Sequence, residues 1–502
     1  MKFSSKKILA LLLSLTICIS LAASCTQSDN PKDGKEKETE SREAESAKAI
    51  KSSDDEADYL PDETYGGYEF RIVTPPNGYF NMISLEADVE EETGDTLYDA
   101  IYKRNRIIEQ KYDIVFKNII VDNFIEMLNT FTKGVLTASN DFDLCTLLPR
   151  DAWSQALEGT VVPVNELPYL DISRPWYVHD VNSQLSIDGK QFFAYSDECL
   201  NMIENTCCVL FNKHIALDLG LENMYNLVND GRWTLDKFFD LAKTAAIDLD
   251  GNGIMTENDQ YGILAEGSDF FPTAWISSGV KTVSKNKDDF HAFSGQDEKL
   301  YNILDKVYEN LYTGQKIYFD GFRETTTLFG SDGLQVTPLQ FSNNYGLFDV
   351  CRFAPIPSLR GMETDFGILP FPKYDENQEK YYSSSGNGWI NVAPISAPDL
   401  GRTSAIMEAL AVESKNHTVP AYTETVLRTK SARDDESQEM LDIIYANRTL
   451  DLGTLIYWND VGSIYVMALI NQTNNYASEI EKNLNIINDA IQKSNEIAAT
   501  LN

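Results

Sequence analysis

Tyr68-Glu69-Phe70-Arg71-Ile72-Val73, then a segment from Asp95 carrying Leu97, Ile101 and Ile108, then Tyr112 to Val121: this succession decides the fold. The first run alternates apolar and polar side chains, the pattern of a half-buried strand. A turn at Pro75-Pro76-Asn77-Gly78 follows it. In the second segment the three apolar residues share one stripe while Lys103, Arg104 and Arg106 lie mostly off it, which predicts an amphipathic helix. Tyr112 to Val121 reads as another strand. Strands alternating with helices predict a parallel sheet covered by helices, an α/β fold.

The alternation continues toward the C-terminus. Phe124 to Leu136 is amphipathic, Asp143 to Leu148 is an apolar run, and Ala152 to Leu157 reads as a short helix ended by Gly159. Strands are then expected at Thr206 to Phe211, Tyr261 to Leu264, Phe366 to Pro370 and Gly388 to Val392. Helices are expected at Leu235 to Ala246 and around Leu300 to Leu311. Ile480, Leu484, Ile487 and Ile491 keep a helical stripe almost to the last residue. With no internal repeat and no flexible linker between two α/β blocks, the chain predicts two lobes around a shared cleft, where α/β proteins usually bind ligands.

In the other direction the composition changes abruptly. Residues 26 to about 60 are almost all Ser, Glu, Asp, Lys and Ala, too polar to offset chain entropy, and are expected to form a disordered tether averaging about 30 Å end to end. Before it, Lys2, Lys6 and Lys7 precede an apolar run from Ile8 that ends in Leu21-Ala22-Ala23-Ser24-Cys25. This is the pattern of an export signal. It resembles bacterial lipoprotein signals, which implies lipidation of the Cys25 sulfur, although Ala22 stands where such signals most often carry Leu. Cleavage without lipid and a retained signal anchor are the alternatives. All three place the body on the extracytoplasmic face.

Of the formal charge of −35, +3 belongs to the signal and −5 to the tether, which leaves about −33 on the body. Such a surface argues against nucleic acid and other polyanions as partners. Five cysteines remain there, Cys145, Cys199, Cys207, Cys208 and Cys351, an odd number in a large chain, so a disulfide framework is not expected. Cys207 and Cys208 read as core packing in a strand, with a bond from Cys199 to one of them as the alternative.

Ile187-Asp188-Gly189-Lys190-Gln191-Phe192-Phe193-Ala194-Tyr195, followed by Val209-Leu210-Phe211-Asn212-Lys213, resembles the extracellular solute-binding proteins of ABC importers, in particular the carbohydrate-binding family 1. Gly231 to Phe238 resembles the family's W-T-x-D/E-x-F helix start, Asp248 to Gly262 its D-x-D-G-x-G segment, and Phe366 to Phe371 its FGILPFP return strand. Together these cover most of residues 65 to 460. The resemblance implies a two-lobed periplasmic-binding-protein-like fold of type II, with residues 65–198 plus 376–415 in one lobe and 199–375 plus 416–502 in the other. The tether then spans 26–64 and the signal 1–25. It further implies a monomeric receptor, not an enzyme, that delivers a small solute, most often a sugar, to permease subunits. Only its lipid would touch the membrane.

Asp248 to Asp259 matches the calcium-loop pattern, with oxygens from Asp248, Asp250, Asn252 and Asp259, the Ile254 carbonyl, and Gly253 for the turn. Asp259 replaces the usual longer Glu, and Gln260 onward reads as strand where a second helix would stand. One structural Ca2+ is expected; the alternative is an Asx-rich turn that needs no metal. No organic cofactor is expected. Sugar recognition needs flat apolar faces and polar groups for hydroxyls. Candidates at predicted strand ends are Tyr79, Phe80, Arg150, Asp151, Trp153, Asp197, Glu198 and Asn201. Trp275, Phe341, Trp389, Tyr457 and Trp458 complete the set, while Trp176 and Trp233 read as packing. No phosphate-binding glycine loop or nucleophile motif occurs, and the four histidines show no metal spacing. A glycan hydrolase with paired carboxylates and an adhesion lipoprotein are the competing function classes.

Overall fold

The computed structural model describes residues 57–321, 336–386, 388–427 and 435–501; the signal, Cys25 and the tether up to residue 56 lie outside these. In chain order the first strands are β1 (Tyr68–Thr74), β2 (Ile114–Ile120), β3 (Leu144–Leu147), β4 (Cys207–Asn212) and β5 (Tyr261–Ala265). Then come β6 (Val283–Lys285), β7 (His291–Phe293), β8 (Tyr318–Asp320), β9 (Gly346–Arg352) and β10 (Phe366–Leu369). The last are β11 (Ser383–Ser384), β12 (Ile390–Val392) and β13 (Arg448–Thr449).

Two open sheets organise these strands. The first has the order β12-β3-β1-β2, with β1 parallel to both β2 and β3 and β12 antiparallel at the edge. The second has the order β10-β4-β9-β5-β8, in which β5, β8 and β9 are parallel and β4 and β10 run against their neighbours. The chain thus leaves the first sheet after β3, builds the second, and returns at β12. The short pairs β6-β7 and β11-β13 stand apart.

Local chemistry accounts for the elements. Asp95 caps the helix Thr96–Tyr112 by accepting from the Leu97 and Tyr98 N–H groups, and Asn123 caps Phe124–Thr137 in the same way. Leu97, Ile101 and Ile108 are buried, as the stripe predicts. β1 alternates on its N-terminal half and is fully buried beyond it, because helices cover both faces there. Phe70, Ile72, Phe116 and Leu144 pack against Ile406 and Leu410 of the helix Leu400–Glu413, which therefore sits on the first sheet although it follows β12. The second sheet is apolar on both faces, with Phe238, Phe348 and Phe371 on one side and Cys208, Leu210 and Ile368 on the other. All five body cysteines are free and buried.

Two segments depart from the sequence reading. The tether's last residues are ordered against the body: Ala57 and Leu60 are buried, and Tyr59 donates to Glu408, because these few apolar side chains find a place beside Trp176 and Tyr177. Ile187 to Tyr195, which the resemblance implies to be a strand, is a tight turn closed by an Ile187–Lys190 bridge and then extended chain with no ladder. Side chains satisfy it instead, as Asn182 donates to the Tyr195 carbonyl and accepts from its N–H. No described helix is long and apolar enough to cross a membrane.

Candidate functional site

β1 is the point at which the first sheet changes direction: the chain moves to one side for β2 and to the other for β3. Loops at the C-terminal ends of β1 and β3 therefore diverge and leave a crevice, the usual ligand position in open α/β sheets. The loop after β1 is held shut at its base, where the Asn77 side-chain oxygen accepts from the Leu85 and Glu86 N–H groups at 2.8 and 2.9 Å. Gly78 takes φ 86° at the turn, and Phe80 is held at φ 52°, a left-handed conformation that costs an aromatic residue about 1 kcal/mol or more. The result projects Tyr79 and Phe80. Their rings lie 4.5 Å apart and rest on Trp389, 5.7 and 6.4 Å away, which leads into β12. Phe80 remains 41% exposed while Trp389 is buried.

The same loop is tied to the crossing helix Leu200–Glu204. Glu204 accepts from the Ile83 N–H at 2.7 Å and from the Ser84 hydroxyl, and burial pushes its carboxyl up to about 7.

The second sheet meets the crevice with charge. β5 runs directly into Glu266, the N-cap of the helix Gly267–Ile276, so that helix starts at the strand end with no intervening loop. Gly267 is required there, since a Cβ would lie 2.8 Å from the Phe271 ring and 3.1 Å from the Asp320 carboxylate. Arg352, ending β9, donates through Nε to Asp269 at 2.7 Å and through Nη1 to Asn205 at 2.9 Å. Burial, then the neighbouring Asp269, pushes the Glu266 carboxyl up to about 8, with Arg352 opposing and Asp320 and Asp349 reinforcing the shift. Asp349 is fully buried and burial pushes it up to about 7.

Two adjoining cavities open here, sharing Asp269 and Arg352. One of about 280 Å³ is lined by Asn205, Ser268, Thr273, Ser384, Thr454 and Tyr457 among others. The smaller, of about 30 Å³, brings Phe80 of the first sheet against Glu266, Thr337 and Arg352 of the second. The larger space admits a small polar solute, and the two linings together offer the Phe80 and Tyr457 rings with hydroxyl, amide, guanidinium and carboxylate groups.

No protein-family model and no curated protein matches the sequence. Solved structures do resemble it. UgpB from Mycobacterium tuberculosis, in complex with glycerophosphocholine, is 13% identical at a TM-score of 0.54, covering 85% of this chain and 99% of its own. An ABC transporter solute-binding protein from Agrobacterium radiobacter, in complex with ribitol, is 12% identical at 0.51, covering 86% and 100%. The GacH receptor of Streptomyces glaucescens, studied unliganded and with acarbose, is 13% identical at 0.51, covering 87% and 98%. This chain has the two-lobed fold of the ABC solute-binding proteins.

Within this solute-binding fold the nominated residues separate into three groups. Tyr79, Phe80 and Trp389 form the aromatic wall, and Tyr457 lines the larger cavity. Arg150 reaches that tyrosine from the end of β3, its guanidinium 5.5 Å from the ring, with Asp151 3.5 Å behind it. Asp197, Glu198 and Asn201 lie in the crossover. Burial pushes Asp197 up to about 6 against the pull of Arg448 and Lys415, Glu198 accepts from Asn391 at 2.7 Å, and Asn201 is buried. The remainder is core: Trp275 donates to Asp451, Phe341 packs on Phe366, and Trp458 packs on Trp153 while donating to Ser494. Trp176 and Trp233 are buried as well. Glu266, Asp269, Thr337 and Arg352 were not nominated. The available signal was their place directly after, inside or opposite strand ends.

The Asp248–Asp259 loop closes through an Ile247–Gln260 bridge and leads into β5, so no second helix follows it. Oxygens of Asp248, Asp250 and Asp259 come within 4.8 Å of one another. Gly251 and Gly253 take φ 69° and 84°, which curls the chain around them. Asp248 accepts from the N–H groups of Gly251 and Gly253, and Asp259 from those of Leu249 and Thr256, which holds the Asp259 carboxyl below its ordinary range. These hard, clustered oxygens fit a cation of the calcium type.

Proposed function

We propose that this protein is an extracytoplasmic receptor that captures a small solute, most often a mono- or oligosaccharide, and hands it to the permease subunits of an ABC importer. The observation that carries the reading is the cavity pair at the strand ends of both sheets, with Phe80 on one wall and Glu266, Asp269 and Arg352 on the other. A ligand touching both walls stabilises the arrangement in which they face each other, and that arrangement is what a permease recognises. Residues 65–198 plus 376–415 and 199–375 plus 416–502 are the moving lobes in this reading, hinged at the chain crossings. Lipidation of Cys25 and the tether that follows keep the receptor beside its importer as a monomer.

The test is a thermal-shift screen of the purified full chain against mono- and oligosaccharides, amino acids and peptides, with product analysis of every stabilising compound. A sugar that raises the melting temperature and is recovered intact supports the receptor. Hydrolysis of that sugar supports the glycan hydrolase in its place.

The Asp248–Asp259 loop is proposed to hold one structural Ca2+ through Asp248, Asp250, Asn252, the Ile254 carbonyl and Asp259. The ion would neutralise the clustered carboxylates and pin the entry to β5. Chelator is then expected to lower the melting temperature by a few degrees, and Asp250→Ala to remove that response. A melting temperature unchanged by chelator assigns the loop to Asx turns alone.

A further inference from the structure

Cys208 and Cys351 stand directly opposite each other in the second sheet, where β4 and β9 run antiparallel. Opposed residues of such a ladder have Cα atoms about 4.5 to 5.5 Å apart and share a face. A disulfide spans Cα separations of about 4.4 to 6.8 Å, so the backbone already holds the two cysteines within reach of a bond. Both side chains lie in one apolar cluster, with Leu210, Phe341 and Ile368. The Cys208 thiol, and then burial, holds the Cys351 thiol well above its ordinary range. No other described cysteine competes for either sulfur. Cys207 alternates to the opposite face, where it lines the larger cavity. Cys199 donates to the Glu198 carboxylate at 3.3 Å in the crossover, and Cys145 belongs to β3 of the first sheet.

We infer that Cys208 and Cys351 are a site of covalent cross-linking, joined as a cross-strand disulfide in the exported protein. The inference rests on the extracytoplasmic reading for its setting, since such bonds persist in oxidising compartments. Cys208 is fully buried and Cys351 is 7% exposed, so the bond forms while the chain folds and both strands are still open to a reagent. The oxidant is itself a disulfide, of the small-molecule or protein class. One cysteine thiolate attacks a sulfur of that disulfide and expels a first reagent thiolate; the second attacks the protein sulfur of the mixed disulfide and expels the other. The leaving thiolates take up the two protons that the cysteines give up. The chain loses two electrons and the reagent becomes two thiols. The bond ties β9 to β4 one residue before Arg352, and so also fixes the strand end that carries the guanidinium of both cavities.

The experiment refolds the reduced, unfolded full chain in a mixture of reduced and oxidised glutathione, alkylates the remaining thiols, digests the product, and fragments the cross-linked peptides to assign each sulfur. Alkylated Cys351 is expected to fall about tenfold or more relative to refolding in dithiothreitol, and the sulfur to reappear bonded to Cys208. Cys208→Ala is expected to return Cys351 to the alkylated fraction, whereas Cys207→Ala and Cys199→Ala leave the bond in place. Cys351 alkylated throughout, or bonded to Cys199 or Cys207 instead, overturns the inference. The unsubstituted chain decides between these outcomes, so a variant that fails to fold does not obscure them. Refolding involves neither membrane nor solute, and its failure leaves the receptor reading to the thermal-shift screen.

Discussion

The two walls of the cleft share a plan, strands whose C-terminal ends deliver side chains into one crevice, yet they carry opposite chemistry. The first sheet supplies Tyr79 and Phe80 on a Trp389 support; the second supplies Glu266, Asp269 and Arg352, with Asp349 fully buried in β9 nearby. Aromatic rings packed on one another contribute stability whether or not a ligand is present. Buried carboxyls gathered around one arginine cost stability until something compensates them. One wall is therefore part of the core that happens to face a cavity. The other is a site whose expense the rest of the fold carries.

Truncating the support should show the largest effect. Trp389→Ala removes a buried indole under both rings and is expected to cost about 3–5 kcal/mol, read as a lower denaturant midpoint. A loss below about 1 kcal/mol would mean the aromatic wall is not packed as described.

The charged wall predicts a pH dependence next. Asp349 and Glu266 have folded-state values of about 7 and 8 against ordinary values of 3.8 and 4.5, so the folded state holds their protons more tightly. Their stabilising contribution is full below the ordinary carboxylate range and is lost as pH rises through about 7 to 8. The melting temperature is expected to fall between pH 5 and pH 9. Asp349→Asn should flatten that fall, by an amount on the order of 2 kcal/mol at the alkaline end. An unchanged slope in the variant would show that Asp349 ionises freely.

Removing the compensating base comes third. Arg352→Ala leaves Asp269 and Glu266 without their cation, and because the Arg352–Asp269 pair is only partly shielded from water the expected loss is about 2 kcal/mol. Phe80→Ala should change stability less, by about 1 kcal/mol, since the ring is 41% exposed. Its effect belongs to binding, where about a tenfold loss is expected for any solute that touches the ring.

The same contrast explains what the sequence disclosed. Tyr79 and Phe80 could be placed because an alternating strand and a Pro-Pro-Asn-Gly turn stand immediately before them, fixing where the chain emerges. The strands of the first sheet, three of the five strands of the second and helices from Thr96–Tyr112 to the final helix Tyr476–Ala498 were legible in the pattern of apolar residues. β9 was not, although it is the centre of the second sheet: Gly346-Leu-Phe-Asp-Val-Cys-Arg352 carries an acid and a base inside an apolar run, and a strand buried on both faces has no alternation to reveal it. With β9 hidden, Arg352 had no position. Glu266 follows a strand that was legible, but its burial depends on β8 and β9 beside it. Trp275 and Trp458 illustrate the reverse limit: a tryptophan's identity does not say which face it takes, and their indole N–H groups found Asp451 and Ser494 inside.

The most direct test is a crystal structure with whichever solute stabilises the chain in the screen. Density is expected between the Phe80 ring and the Glu266, Asp269 and Arg352 side chains, contacting both sheets at once. A solute bound elsewhere, or touching one sheet only, would contradict that expectation.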